Sequence, residues 1–106
     1  MSKKLYCIAQ FTPKEGLEDA LFARLKALEP DSLREDGCIM YRATKKIDHV
    51  LAPGESMPIV MHEVWESIEA FEKHCQREEI VEFLENECIS EDGMAAAYNV
   101  TAYRDE

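Results

Sequence analysis

A strict two-residue alternation near the start of the chain is the feature that most limits its fold. Over residues 5–12 every second side chain is apolar. This apolar set is Leu5, Cys7, Ala9 and Phe11. Because successive side chains of a β-strand point to opposite faces of a sheet, the pattern predicts a strand that buries one face. The intervening positions mix apolar and polar residues, so the other face is only partly polar.

Three further strands and a series of helices are predicted along the rest of the chain. The strands cover residues 38–45, 59–65 and 95–103. Apolar stripes at helical spacing lie over residues 17–28, 68–75 and 80–88. Pro30 is expected to interrupt the first helix, Ser67 to cap the second, and a break is expected near Arg77. Residues 46–58, with Pro53-Gly54 and Pro58, form a long connection of the kind that often serves as a lid or arm.

The element order β-α-β-β-α-α-β is typical of an α+β, ferredoxin-like sandwich. Such a fold has a four-stranded antiparallel sheet with helices on one face. The length of 106 residues indicates one domain, residues 1–106. The second sheet face is predicted to be too apolar to remain exposed to solvent, since it would carry Tyr6, Ile8, Val60, Val64, Tyr98 and Val100. We therefore expect a homodimer through this open sheet face, with His62 on the same side.

Charge and composition exclude several classes of protein. The chain carries 12 Lys+Arg against 22 Asp+Glu, a formal charge of −10, which argues against a nucleic-acid partner. We expect a cytoplasmic protein with no membrane association, because no apolar run approaches the roughly 20 residues of a membrane span and no export signal precedes the first strand. The four cysteines lack a C-x-x-C pair and are predicted to be reduced core thiols. No metal site is expected, because the three histidines lack ligand spacing and Glu66 stands where an H-E-x-x-H motif needs its second histidine.

Four local strings together resemble one protein family. They are IAQFTPKEG at residues 8–16, EDGCIMY at 35–41, VMHEVWES at 60–67 and FEKH at 71–74. The set is similar to the antibiotic biosynthesis monooxygenase family of dimeric α/β-barrel proteins, and the long loop before the third strand is most similar to its bacterial quinol monooxygenase branch. The resemblance implies a small cytoplasmic homodimer that oxygenates a small aromatic quinol or phenol with O2 and uses no cofactor, neither metal nor flavin.

The same resemblance leaves other functions open. The family also contains haem-degrading enzymes, isomerases and proteins without known activity, and a non-catalytic ligand-binding or stress-response domain could use the same cavity. At Ala9, the haem-degrading branch carries an asparagine, which argues against that activity here. We expect Ala9 and Cys7 to form the floor of a pocket between sheet and helices, partly closed by residues 46–58.

Oxidation of a phenol without a cofactor needs a base, because removal of the phenolic proton makes the ring electron-rich enough to donate an electron to O2. Proton transfer from a phenol to an ordinary histidine is uphill by roughly 4–5 kcal/mol, which the pocket must offset. His74, on the predicted helix beside Phe71, is the first candidate for base or proton shuttle. The alternative is a histidine that merely holds a neighbouring carboxylate or carbonyl.

Further candidates surround this histidine in the predicted fold. Glu63 lies among apolar residues and either has a raised pKa and orients substrate or makes a structural hydrogen bond or dimer ion pair. Trp65 resembles the family's pocket tryptophan, which would stack on substrate, although core packing would explain it too. Tyr41 and Tyr98 are candidate hydrogen-bond donors to a quinol oxygen, or core and interface residues. Additional candidates for substrate contact are Arg42, which could stabilise an anion or be solvated, together with Phe71 and Ala9.

Overall fold

The computed structural model describes residues 3–105 and contains one four-stranded antiparallel sheet in the order β2-β3-β1-β4. The strands are β1 (Leu5–Pro13), β2 (Cys38–Lys45), β3 (Ile59–Trp65) and β4 (Ala95–Arg104). The helices are α1 (Glu18–Lys26), α2 (Glu29–Leu33), α3 (Ile68–Gln76) and α4 (Glu78–Phe83), and α4 continues into a π-helical segment, Leu84–Ile89. The ferredoxin-like fold is confirmed, and the element order agrees with the prediction except that the first helical segment is divided into α1 and α2.

The core lies between one face of the sheet and the helices. All four apolar residues of the β1 alternation are buried, as the pattern predicted. Ile59, Met61 and Trp65 extend this face on β3, and Leu21 and Leu25 of α1 pack over it. Each of these five side chains is at most 1% exposed, so the core is closed where sheet meets helix.

Local sequence signals set the helix boundaries. Pro30 stands in the first turn of α2, where its missing N–H costs nothing, and so separates α1 from α2 as expected. Ser67 is extended and its hydroxyl accepts a hydrogen bond from the Ala70 N–H at 3.1 Å, which confirms the predicted cap of α3. Arg77, with φ −65° and ψ 136°, ends α3 and starts α4, which confirms the predicted break.

Gly37 brings the start of β2 close to the start of α3. Its φ is +85°, a region that favours glycine, and a Cβ built there would lie 2.6 Å from Cβ of Ala70. The Gly37 carbonyl also accepts a hydrogen bond from the Glu66 N–H at 2.7 Å. This close approach places the turn that precedes β2 beside α3.

The register of β4 corrects one prediction about the open face. Tyr98 pairs with Phe11 and Val100 with Ala9, so both lie on the helix side of the sheet and not on the open face. The register shift at Thr12 and Pro13 accompanies this pairing. The remaining residues predicted for the open face lie there, together with His62, which pairs with Ile8.

Residues 46–58 form an arm that leaves the body of the fold. Ile47, Val50 and Leu51 are 72%, 88% and 85% exposed. The arm is tied at its base, where the Met57 N–H donates to Oε1 of Gln10 at 3.0 Å. No residue of the arm lines the cavity described below, so the expected partial closure of the pocket by this segment is not seen. Among the described helices, none has the length and apolar character needed to cross a membrane.

Candidate functional site

A cavity of about 70 Å³ lies between the sheet and the helices. Most of its wall is apolar, and five of its lining residues carry groups that can donate or accept a proton. These are Cys7, Tyr41, Glu63, His74 and Cys75. Two of its lining residues, Cys75 and Val100, are exposed at the surface. It can therefore admit a small apolar molecule from solvent and present it to a few polar groups.

His74 is the buried imidazole of this wall, with 2% of its surface exposed. Its Nδ1 lies 2.8 Å from Oε2 of Glu35, a residue in the turn before β2. Because a carboxylate only accepts, Nδ1–H is the donor, and in the neutral imidazole this leaves the lone pair on Nε2. Within residues 3–105, the side-chain hydrogen bond described for His74 is the one at Nδ1. His74 thus offers the cavity a proton acceptor whose tautomer is fixed from behind.

Burial also keeps this imidazole neutral. Desolvation lowers the pKa of His74 below its ordinary value, and the hydrogen bond and charge of Glu35 oppose that effect in part. A buried histidine with a lowered pKa is uncharged at neutral pH and is ready to accept a proton. The nearby Glu35 would stabilise the imidazolium that results.

Two neighbouring aromatic rings pack against the imidazole and restrict its orientation. The centroid of the Trp65 ring lies 4.6 Å from that of His74, with 37° between the planes. The Tyr41 ring lies 5.0 Å away in an edge-on arrangement. Burial raises the pKa of the Tyr41 phenol, so its hydroxyl stays protonated.

Glu63 is the second polar group in the wall and is held by the same tryptophan. The Trp65 indole Nε1–H donates to Oε1 of Glu63 at 3.0 Å. Burial raises the pKa of Glu63 to about 7, although the Trp65 hydrogen bond opposes the rise. Near neutral pH this carboxyl therefore exchanges between an acid form, which can donate, and a carboxylate, which only accepts.

Five of the eight predicted site residues line the cavity. They are Ala9, Tyr41, Glu63, Phe71 and His74. Trp65 does not line it: the ring is 0% exposed and lies behind His74 and Glu63, where it positions both. Tyr98 lies on the helix side of the sheet opposite Phe11 but does not line the cavity, and Arg42 pairs with His62 on the open face, away from the cavity.

The cysteines differ from their prediction at one position. Cys7, Cys38 and Cys88 are free thiols that are buried or half-buried. Cys75 is free but exposed, because α3 turns His74, and not its neighbour, toward the sheet. Within residues 3–105, no group of three or more His, Cys, Asp or Glu side chains is arranged to hold a metal ion.

Two residues of the candidate site were not predicted from the sequence. Glu35 and Arg77 complete the polar group behind His74: Arg77 Nη1 contacts the same Oε2 of Glu35, and its Nη2 donates to Oε2 of Glu79 at 2.9 Å. Glu35 is 39 residues from His74, so no spacing rule joins them. The available signal was that Glu35 and His74 stand inside strings that resemble the family, EDGCIMY and FEKH, whereas Arg77 lies outside all four strings.

Solved structures with the same fold cover nearly the whole chain. A Shewanella oneidensis protein is 28% identical, with a TM-score of 0.82 over 99% of this chain and 93% of its own. A Pseudomonas aeruginosa protein is 24% identical, with a TM-score of 0.78 over 100% of this chain and 97% of its own. A Deinococcus radiodurans protein, assigned provisionally to the antibiotic biosynthesis monooxygenases, is 16% identical, with a TM-score of 0.74 over 96% of this chain and 92% of its own.

The sequence comparison is consistent with this fold. No curated protein sequence matches the chain. The sequence model of the antibiotic biosynthesis monooxygenases matches residues 5–86, which run from β1 into the π-helical segment and include every residue of the His74 and Glu63 groups. The chain belongs to the antibiotic biosynthesis monooxygenase family.

Proposed function

We propose that this protein is a monooxygenase that oxidises a small aromatic quinol or phenol with O2 and without a cofactor. One observation carries the proposal. His74 lines an apolar cavity, and its Nδ1–H is held by Glu35 at 2.8 Å, so the lone pair of the neutral imidazole lies on Nε2. This is the arrangement that a general base needs: an accepting atom toward the substrate and an orienting partner behind it.

The first step is transfer of the phenolic proton to Nε2 of His74. An ordinary phenol has a pKa near 10 and an ordinary histidine one near 6.5, so the transfer is uphill by roughly 5 kcal/mol. Glu35 reduces this cost because its carboxylate stabilises the imidazolium that forms. The phenolate can then donate an electron to O2, which the neutral phenol does poorly. For a quinol, one oxygen atom enters the ring and the other leaves as water, which gives a hydroxyquinone.

Glu63 is the group that we propose for the second oxygen of the substrate. In its acid form it donates a hydrogen bond, and the Trp65 indole fixes the carboxyl by binding Oε1. The raised pKa of about 7 means that this acid form is present at neutral pH. A quinol has two oxygens on one ring, so one hydroxyl can meet His74 and the other can meet Glu63.

The cavity volume limits the size of the substrate. An apolar cavity of roughly 150 Å³ holds benzene, and the volume here is about 70 Å³. A single ring therefore needs movement of the wall or must extend out of the cavity toward solvent. We accordingly propose a monocyclic substrate in preference to a fused-ring one.

We also propose that the protein acts as a homodimer through the open sheet face. Ile8, Val60 and Val64 lie on this face together with Tyr6, and none of the described helices covers it. Met40 and Tyr103 are 45% and 54% exposed on the same side. Sheet faces of this character are normally covered in a folded protein, and a second copy of the same face is a complementary cover.

Oxygen uptake with a panel of substituted hydroquinones tests the proposed activity. The expected result is uptake by the wild-type protein that falls at least about 100-fold in His74→Ala, the size of effect typical of a lost general base. His49→Ala is the matched control, because His49 is an exposed histidine on the arm, and it should keep full activity. Undiminished uptake in His74→Ala would exclude His74 as the base.

The rival functions give different results in the same preparation. A binding domain would show saturable binding of the same ring compounds, measured calorimetrically, with no uptake by any of them. A haem-degrading enzyme would shift the Soret band of added haem. We expect no shift, because the Ala9 position offers the cavity a methyl group and no polar contact.

A further inference from the structure

One carboxylate oxygen behind the candidate base has two donors. Oε2 of Glu35 accepts from Nδ1 of His74 at 2.8 Å and also contacts Nη1 of Arg77. The second guanidinium nitrogen, Nη2, donates to Oε2 of Glu79 at 2.9 Å. A continuous polar chain therefore runs from the surface at Glu79 to the imidazole in the cavity wall.

We propose that Arg77 is a positioning residue that sets the proton affinity of His74 by neutralising Glu35. The proposal rests on the proposed function, since it concerns the same base. Arg77 does not line the cavity and so does not touch a substrate there. It acts on the carboxylate, and the carboxylate acts on the imidazole.

The position of Arg77 in the fold supports this role. It is the residue at which α3 ends and α4 begins, three positions after His74. Its extended backbone lets the side chain turn back along the end of α3 toward the turn that holds Glu35. The side chains of His74, Glu35 and Arg77 are 3%, 14% and 27% exposed. Solvent therefore reaches the guanidinium of Arg77 but hardly reaches the imidazole of His74. The state of His74 therefore depends on its neighbours rather than on water.

The charges around the imidazole come from several elements. Glu35 is in direct contact with the imidazole, Arg77 contacts Glu35, and Glu79 of α4 contacts Arg77. The other titratable groups facing this region are Tyr41 of β2, Glu63 and Cys7 of the sheet, Cys75 of α3 and, toward Arg77, Asp31 of α2. Glu35, Arg77 and Glu79 together carry a net charge of −1.

This arrangement makes two substitutions act in opposite directions. Removing the cation, as in Arg77→Gln, leaves Glu35 unneutralised, which favours the imidazolium and raises the pKa of His74. Removing the outer anion, as in Glu79→Gln, leaves Arg77 with Glu35 alone and lowers the same pKa. Arg77→Lys keeps the charge but loses the fork that spans both carboxylates, so it should fall between wild type and Arg77→Gln.

The test is an NMR titration of the full-length protein that follows the imidazole resonances of His74, assigned by their loss in His74→Gln. We expect the pKa to rise by about one pH unit in Arg77→Gln, at the lower end of the effect of a direct charge partner. It should fall in Glu79→Gln. Lys73→Gln is the control, since it removes a positive charge from an exposed position on the same helix, and the pKa should stay at the wild-type value. Circular dichroism shows which variants are folded.

The enzymatic readout is separate from this titration. If the oxidation of quinols occurs, the acid limb of its kcat/KM against pH should move with the NMR value in each variant. An unchanged pKa in Arg77→Gln, or a shift of the same sign in Arg77→Gln and Glu79→Gln, overturns the role of Arg77. Absence of oxygen uptake with every quinol overturns the proposed function, and the NMR comparison then still decides whether Arg77 sets the proton affinity of His74.

Discussion

Nδ1 of His74 and Oε2 of Glu35 lie 2.8 Å apart, although the two residues are 39 positions apart in the sequence. One stands on α3 and the other in the turn before β2, and Gly37 allows these two segments to approach. The tertiary contact therefore determines which ring nitrogen of His74 carries the proton. It also predicts what happens when the acceptor becomes an amide.

Glu35→Gln should reduce activity without removing the imidazole. An amide NH2 can donate to Nδ1, which moves the ring proton to Nε2 and takes the lone pair away from the cavity. We expect kcat/KM for oxygen uptake to fall by roughly 100-fold at neutral pH, because the base is then in the wrong tautomer. Asp36→Asn is the matched control at the adjacent exposed position, and an equal loss there would contradict this account.

Glu63 should make the stability of the protein depend on pH in a specific window. Its pKa is 4.5 in the unfolded chain and about 7 when buried, so the folded state holds an extra proton between these values. Stability must then fall as pH rises from about 4.5 to 7, by roughly 3 kcal/mol for this one group. Glu63→Gln removes the effect. In urea denaturation, the free energy of unfolding of the variant should therefore increase relative to that of wild type as pH rises across that window. The stability contribution of His74, whose pKa is lowered by burial, has the opposite sign and cancels in this comparison. A constant difference between the two proteins at all pH values would exclude a raised pKa at Glu63.

Trp65 should stabilise the protein partly through Glu63. Trp65→Phe keeps an apolar ring but removes the Nε1–H that donates to Oε1 at 3.0 Å, which leaves a buried carboxyl oxygen without that donor. We expect a loss of about 2 kcal/mol, from the smaller ring and the lost hydrogen bond together. A double-mutant cycle with Glu63→Gln separates the two causes, since the hydrogen-bond part should appear as a coupling energy. Additive effects would show that Trp65 acts through packing alone.

Much of the fold was predictable because its signals are local. The alternation of β1 identified the buried face, the β2 and β3 ranges agree with the structure, and Ser67 capped α3 as its side chain suggests. The sequence did not show which β4 residues face the helices. The strand begins with Ala95-Ala96-Ala97, and three identical small residues do not distinguish the two faces of the sheet. Pairing with β1 decided it instead.

The residues of the candidate site were predictable in part, but their arrangement was not. His74 and Glu63 were identified, and both lie in the cavity wall. Neighbouring positions on a helix differ by only about 100°, so the stripe could not decide whether position 74 or 75 faces the sheet. Glu35 and Arg77 are joined to His74 only by the tertiary fold. For the same reason, nothing in the sequence placed Trp65 behind the imidazole rather than beside the cavity.

A charge on the open sheet face should prevent the proposed dimer from forming. Ile8 lies near the middle of this face, between His62 on β3 and Thr101 on β4. Ile8→Asp would bury a carboxylate at the centre of the interface, and we expect sedimentation velocity to show a monomer at micromolar concentration. Val81→Asp, which changes an exposed apolar residue on α4, should remain dimeric. A wild-type protein that already sediments as a monomer would refute the dimer.

Filling the cavity should remove activity at little cost in stability. Ala9 is 6% exposed and lines the cavity, so the larger side chain of Ala9→Leu occupies space of about 70 Å³ that is otherwise open. We expect loss of oxygen uptake and of ring-compound binding, with the free energy of unfolding within about 1 kcal/mol of wild type. Ala43→Leu is the matched comparison, because Ala43 is 2% exposed on the same sheet face but does not line the cavity. That variant should lose about 1–3 kcal/mol through overpacking. Equal destabilisation of the two variants would mean that the space beside Ala9 is not available to a substrate.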